Sequence, residues 1–142
     1  TRLMNQSQVT AHFDAIADSY DRYKNQKPLY YHAILSKLRL LIPENVTIFD
    51  CGCGTGTILA KLNPRYGVGY DPSTQMIAIA RKKWQSYPSI SFTNTLPCIK
   101  TYDVVLSVDV VEHVPDLYVY MQTLYSFCAT SGSVYVVFVD SW

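Results

Sequence analysis

The feature that most constrains this chain is a glycine-rich turn between a predicted strand and a predicted helix. Residues 47–50 form a short apolar run that ends in Asp50, and the sequence continues Cys-Gly-Cys-Gly-Thr-Gly to Gly56. A helical pattern then extends through Leu62. Glycines at this spacing let the backbone turn sharply and approach a ligand closely at a helix N-terminus. The segment therefore predicts a strand, a tight turn and a helix.

Strands and helices alternate along the rest of the chain. Two helices precede the first strand, with apolar positions at helical spacing in residues 13–20 and 31–42. Further strands are predicted at residues 66–70, 90–93, 102–108 and 133–139. The pattern predicts a doubly wound, Rossmann-like α/β fold with a mostly parallel sheet.

Two helices are predicted between these later strands. Asp71-Pro72-Ser73 reads as the start of one, with Pro72 in its first turn. The other has an apolar stripe from Leu117 to Cys128 and is stopped by Ser131-Gly132.

The length of 142 residues fits one domain, with N-terminal lid helices in residues 1–43 and a ligand-binding core in residues 44–142. The fifth strand would leave a long apolar edge, which a missing C-terminal segment, a second chain or a symmetry mate should cover. We therefore expect a chain that is C-terminally incomplete or that forms a homodimer through this edge. A first residue that is Thr1 rather than Met also favours an excerpt.

Composition excludes several classes of protein. A formal net charge of +1 gives no general attraction to nucleic acid, which is therefore not expected as a partner. No apolar run has the roughly 20 residues that span a bilayer, so no membrane association is expected. Cys51, Cys53, Cys98 and Cys128 form neither a zinc pattern nor a disulfide framework. A reducing, cytoplasmic location fits best.

The glycine spacing separates two families of nucleotide enzymes. A dinucleotide fingerprint needs G-x-G-x-x-G, but counting from Gly52 places Thr57 at the third glycine, which disfavours an NAD-dependent oxidoreductase. The run from Asp50 to Gly56 instead resembles motif I of the class I S-adenosylmethionine-dependent methyltransferases. That resemblance implies glycine backbone beside the amino acid portion of the cofactor, with Asp50 near its amine. A turn that only redirects the chain is the alternative.

Two further blocks carry the same resemblance. Phe13-Asp-Ala-Ile-Ala-Asp-Ser-Tyr-Asp21 is similar to the F-D-x-x-A-x-x-Y-D segment of methyltransferases of the quinone-biosynthesis group, in which a lid helix brings a tyrosine, here Tyr20, over the cofactor. Residues 102–116 resemble their block around the fourth strand, which ends in Glu-His-Val. The three blocks cover most of the chain in the family's order.

A second acid follows about twenty residues after the first, at the end of the second predicted strand. Asp71 is placed to accept hydrogen bonds from ribose hydroxyls, although it could also cap the next helix. Met76 is either a core residue or an apolar contact of adenine. The family often has an acid after the third strand; here only Asn94 is available, as an adenine partner or a plain turn residue. The cofactor-binding residues implied are Tyr20, Asp50, Gly52, Cys53, Gly54, Gly56, Asp71, Pro72, Met76, Asn94 and Ser107.

The candidate catalytic residues follow the fourth predicted strand. Asp109, Glu112 and His113 are spaced i, i+3 and i+4, so one helical turn would bring them together at the sheet's carboxyl edge. His113 is a plausible general base for removing a proton from an acceptor hydroxyl. The pattern also resembles the divalent-metal cluster of some O-methyltransferases, but Glu-His-Val is frequent in the superfamily without metal, and no metal is expected.

The resemblance implies a methyltransferase that moves a methyl group from S-adenosylmethionine to oxygen or carbon of a small molecule, leaving S-adenosylhomocysteine. We expect a phenolic or quinone-like acceptor from the resemblance, since a fold alone does not identify a substrate. The alternative is a non-catalytic nucleoside-binding module, or the cofactor-binding part of a larger enzyme.

Overall fold

The computed structural model describes residues 5–98 and 100–138 of the chain. Helices and strands follow in the order α1 (Gln6–Asn25), α2 (Pro28–Leu41), β1 (Thr47–Cys51), α3 (Thr57–Leu62), β2 (Tyr66–Tyr70), α4 (Thr74–Lys83), β3 (Ile90–Thr93), β4 (Tyr102–Val108), α5 (Leu117–Ser126) and β5 (Cys128–Val137). A short 3₁₀ turn, Val111–His113, lies between β4 and α5. The predicted alternation is confirmed, and β2, β3 and β4 have the predicted bounds.

All five strands are parallel and lie in the order β3-β2-β1-β4-β5. The central strand β1 pairs with β2 on one side and with β4 on the other. The direction of winding reverses between β1 and β4, and open α/β sheets bind ligands beyond the carboxyl ends of strands at that point. The predicted Rossmann-like fold is therefore confirmed, and its switch point lies at the glycine turn.

Each face of the sheet has its own apolar cluster. One cluster includes Ile34 and Leu38 of α2, Leu59 of α3 and Ile77 of α4. The other is built on Phe49 of β1, whose ring stacks on Phe127 at 4.3 Å between centroids. Burying both faces of β1 fixes its register, so the glycine turn that follows β1 has a rigid support.

The start of α4 differs from the prediction. Ser73 is the N-cap residue, because its side chain accepts a hydrogen bond from the backbone of Met76, and the helix begins at Thr74. Pro72 therefore precedes the helix instead of occupying its first turn. Asp71 accepts a hydrogen bond from the backbone N–H of Ser73 but is not the cap residue itself.

The boundary between α5 and β5 was also predicted wrongly. Cys128 belongs to β5, not to α5, and Ser131-Gly132 lies inside the strand instead of ending the helix. Tyr102 pairs with Cys128 but Val104 pairs with Ser133, so β5 bulges between these points. A side chain at Gly132 would place its Cβ 2.7 Å from the carbonyl oxygen of Asp103, so glycine is needed where the bulge touches β4. Val139, the predicted last residue of this strand, lies outside the described residues.

Two predicted apolar stripes are only partly buried. In α2, Ile34, Leu35 and Leu38 are buried, but Leu41 is 57% exposed. In α5, Leu124 is fully buried, whereas several apolar side chains remain exposed: Leu117, Tyr118, Val119, Met121 and Tyr125. Within the described residues, no helix combines the length and the apolar character required to cross a membrane.

Candidate active site

The glycine turn adopts a conformation that only glycine accepts readily. Gly52, Gly54 and Gly56 have φ angles of 85°, 55° and 79°, all in the left-handed region. A Cβ at Gly52 would collide with the side chain of Val110, which follows β4. The backbone N–H of Gly52 donates to the carbonyl oxygen of Tyr70 at 2.7 Å, tying the turn to the end of β2.

Asp71 connects the glycine turn to the segment between β2 and α4. Its two carboxylate oxygens accept hydrogen bonds at 2.9 Å from the backbone N–H groups of Gly54 and Ser73. Burial raises the pKa of Asp71, and these two hydrogen bonds oppose that rise. Because each carboxylate oxygen has two lone pairs, Asp71 keeps acceptor capacity for a ligand's hydroxyl groups.

Asp50 is the least satisfied polar group among the described residues. Its side chain is 3% exposed, and its Oδ1 atom has no hydrogen-bond partner. Burial raises the pKa of Asp50 to about 7, the neighbouring charge of Lys24 opposes this rise, and Asp71 adds to it. A buried acceptor without a donor costs free energy, so this carboxyl group is available to a ligand's donor.

A cavity of about 310 Å³ opens at the carboxyl edge of the sheet. Its wall includes Gly52, Gly54 and Asp71, which follow β1 and β2, and Asp109 and His113, which follow β4. Of the predicted cofactor residues, those on the wall are Tyr20, Gly52, Gly54, Asp71, Pro72 and Met76. A site for a nucleoside and a candidate proton acceptor therefore share one space.

The N-terminal helix α1 closes this cavity on one side. The Tyr20 ring lies over Gly54, so close that a Cβ there would be 3.1 Å from Tyr20 Cε1. Asp21 anchors the helix, because its carboxylate accepts hydrogen bonds from the Thr55 hydroxyl at 2.6 Å and from Lys83 Nζ at 2.9 Å. The lid is thus held against the turn that it covers.

The predicted catalytic residues are only partly brought together. Asp109 lies outside the 3₁₀ turn with a left-handed φ of 57°, and it accepts a hydrogen bond from the Tyr30 hydroxyl at 2.8 Å. His113 is on the cavity wall with its ring 5.4 Å from that of Phe13, whereas Glu112 is exposed and off the wall. The single helical turn expected over these residues is therefore wrong. Among residues 5–98 and 100–138, no cluster of three metal-ligating side chains is present.

Five predicted cofactor residues do not line the cavity: Asp50, Cys53, Gly56, Asn94 and Ser107. Cys53 points into the core, where a Cβ at Gly69 would touch its sulfur. Gly56 is the N-cap of α3 beneath the Phe92 ring. Exposed Asn94 donates to the Thr74 hydroxyl at 3.3 Å.

Ser107 acts behind the cavity wall. Its buried hydroxyl is hydrogen bonded to that of Tyr120 at 2.7 Å, and Tyr120 does line the cavity. Sequence reasoning missed Tyr120, because an aromatic residue on a predicted helix gives no sign of which face it presents. It also missed Phe13 as a wall residue, although Phe13 lies two helical turns before Tyr20 and so on the same face.

Comparison with known proteins identifies the family. The family model described as "Methyltransferase domain" matches residues 20–141. The chain belongs to the methyltransferase domain family, and the resemblance carried by its three sequence blocks is confirmed.

Two curated relatives and one solved structure illustrate what the chain is similar to. The malonyl-acyl-carrier protein O-methyltransferase of Bacillus cereus is 29% identical over 92% of this chain and 52% of its own length. The ubiquinone biosynthesis O-methyltransferase of Rhizobium etli is 30% identical over 68% of this chain and 42% of its own length. The chain thus spans about half the length of these relatives. A DhpI–SAH complex shares the fold with a TM-score of 0.80 at 22% identity, over 93% of this chain and 68% of that one.

Proposed function

We propose that this chain is an S-adenosylmethionine-dependent methyltransferase acting on oxygen or carbon of a small-molecule acceptor. This proposal rests on one observation: Asp71 and His113 line the same cavity. Methyl transfer requires the cofactor and the acceptor molecule to lie side by side. The named activities of the O-methyltransferase relatives support a small acceptor.

The site fits the cofactor in three respects. The glycine turn leaves room where a side chain would collide, Asp71 retains acceptor capacity for ribose hydroxyls, and Asp50 offers an unpaired oxygen to an amine. When bound, S-adenosylmethionine supplies a methyl group activated by its sulfonium. The residues proposed to bind it remain the eleven predicted from the sequence, with Cys53, Gly56 and Ser107 acting by shaping the turn and the wall.

His113 is the proposed general base. Its imidazole lies on the wall, where it can accept the proton of an acceptor hydroxyl as the new bond forms. Asp109 and Glu112 flank it in sequence, and Asp109 positions the connection after β4 through Tyr30. No metal takes part in this proposal.

The organisation of the protein is also a proposal. Residues 1–142 form one domain, with lid helices in residues 1–43 and the core in residues 44–142. Four free cysteines support a reducing, cytoplasmic location. The second candidate function is the cofactor-binding part of a larger enzyme, which the half-length match to the relatives favours.

Calorimetric titration with S-adenosylmethionine and S-adenosylhomocysteine, with NAD as the control, tests the proposal. Binding of both sulfur nucleosides but not NAD is the expected result. A folded chain that binds neither would contradict it.

The base is tested with His113→Ala, assayed by transfer of labelled methyl to malonyl-acyl-carrier protein and to phenolic and quinol acceptors. Turnover should fall by about a hundredfold while S-adenosylhomocysteine affinity is retained, as for loss of a general base. His32→Ala on α2 is the matched control, because His32 is exposed and off the cavity wall. Equal losses of turnover and affinity would assign His113 a structural role.

A further inference from the structure

Lys24 is an unusual cation on the lid helix. It lies one helical turn after Tyr20, and its Nζ atom is 4.6 Å from the centroid of the Tyr20 ring and 4.8 Å from that of Tyr31. The side chain is partly buried, and burial lowers its pKa. A lysine held between two rings in this way is drawn out of water without gaining a close counter-ion.

No described carboxylate forms an ion pair with Lys24. The ion pairs within the described ranges are Arg65–Asp103 and Lys83–Asp21. The negative charges of Asp50, Asp109 and Asp21 raise the pKa of Lys24, opposing the effect of burial. Withdrawing an ammonium from water without a partner is costly, so such a group is available to an incoming anion.

Asp50 carries the complementary, negative charge and also lacks a partner. Its buried Oδ1 atom has no donor, just as Lys24 has no acceptor within ion-pair distance. Each group adjoins the cavity wall: Lys24 lies against the ring of Tyr20, and Asp50 is two residues before Gly52. An α-amino acid group carries one ammonium and one carboxylate at short separation, which matches this pair of charges.

We propose that Lys24 binds the carboxylate of the amino acid portion of the cofactor, while Asp50 faces its ammonium. This inference rests on the proposed function. Neither Lys24 nor Asp50 is itself on the cavity wall, so binding includes a movement of the Tyr20 ring. Because Asp21, Asp50 and Asp109 would repel a ligand's carboxylate, Lys24 is the residue that makes the amino acid portion acceptable.

The test uses three ligands that differ in this portion alone. S-adenosylhomocysteine has both charges, decarboxylated S-adenosylhomocysteine lacks the carboxylate, and methylthioadenosine lacks both. Lys24→Met should weaken S-adenosylhomocysteine binding about tenfold to a hundredfold, the usual effect of losing a charged hydrogen bond. Lys24→Met should not weaken binding of the other two ligands, because neither has a carboxylate. Lys24→Arg should retain most of the affinity for S-adenosylhomocysteine.

Lys27→Met is the matched control. Lys27 also lies over a tyrosine ring, with Nζ 5.5 Å from the centroid of the Tyr23 ring, but it is exposed and precedes the first residue of α2. The Lys27→Met variant should bind all three ligands with the affinities of the unmodified chain. Retained methylthioadenosine binding by Lys24→Met would show that the variant has an intact nucleoside site.

Three results would overturn the inference. Tighter S-adenosylhomocysteine binding by Lys24→Met would show that Lys24 only fills the ammonium position beside Asp50. Equal losses for all three ligands would show that Lys24 merely holds the lid. If the unmodified chain bound none of them, the proposed function would fail, and this inference with it.

Discussion

Single residues at this site differ in whether their polar atoms already have partners. Asp71 and Asp21 accept hydrogen bonds from the protein and so hold the turns in place. Asp50 has an oxygen without a donor, and Lys24 has no ion-pair partner within the described ranges. When the charged groups of a site are unpaired before binding, a ligand that pairs them binds with a more favourable free energy. Folding has already removed these groups from water, so binding does not incur that cost again.

The raised pKa of Asp50, about 7, predicts a pH-dependent affinity for the cofactor. An ammonium prefers the ionised carboxylate, so S-adenosylhomocysteine affinity should rise as pH increases through 7 and then level off. Binding near neutral pH should release a proton, which calorimetry in buffers of different ionisation enthalpy measures. Asp50→Asn should remove both the slope and the proton release.

The same raised pKa predicts that the free energy of unfolding of the unliganded chain falls as pH rises. Between the ordinary pKa of 3.8 and about 7, folded Asp50 holds a proton that the unfolded chain has lost. Its contribution to the free energy of unfolding is therefore complete at low pH and declines as pH rises through 7. Thermal unfolding of Asp50→Asn should lack this decline, and a parallel decline in both proteins would contradict the assignment.

Among the elements, β5 contains a glycine, Gly132, that lies against the backbone of β4. Gly132→Ala would place a Cβ 2.7 Å from the Asp103 carbonyl oxygen and 2.9 Å from the sulfur of Cys128. We expect a loss of about 1–3 kcal/mol in the free energy of unfolding, as for other overpacked sites. Chemical denaturation measures it, with Ser131→Ala as control, since Ser131 is exposed in the same bulge. A loss within error of the control would show that the bulge relaxes freely.

Local sequence patterns predicted the elements that local forces determine. The strand, turn and helix around Gly52 follow from burial of β1 on both faces and from backbone angles that glycine adopts. The contact between Gly132 and β4 is non-local, so Ser131-Gly132 could be read as a helix stop. The sequence also does not show in which direction each side chain of the turn points. Cys53 was therefore predicted on the ligand side, although it packs in the core.

At the scale of the whole molecule, the two sides of the sheet are covered unequally. Helices α2, α3 and α4 contribute to one apolar cluster, whereas α5 is the helix packed on the other. The outward face of α5 leaves Tyr118 and Tyr125 exposed beside β5, an edge strand of the sheet. Exposed aromatic side chains beside a strand that pairs on one side only, among the described residues, favour association.

We expect this chain to form a two-fold homodimer through the β5 edge and the α5 face at micromolar concentrations. A two-fold interface uses the same surface twice, so one charged substitution disturbs it in both copies. Tyr125→Lys, at a side chain that is 77% exposed, should shift sedimentation towards monomer while the circular dichroism spectrum stays that of the folded chain. Leu40→Lys on α2 is the control, because Leu40 is 86% exposed but lies on the helix layer of the opposite face. An unmodified chain that sediments as a monomer throughout, or a dimer that both variants leave intact, would show that this face is covered by something other than a second copy.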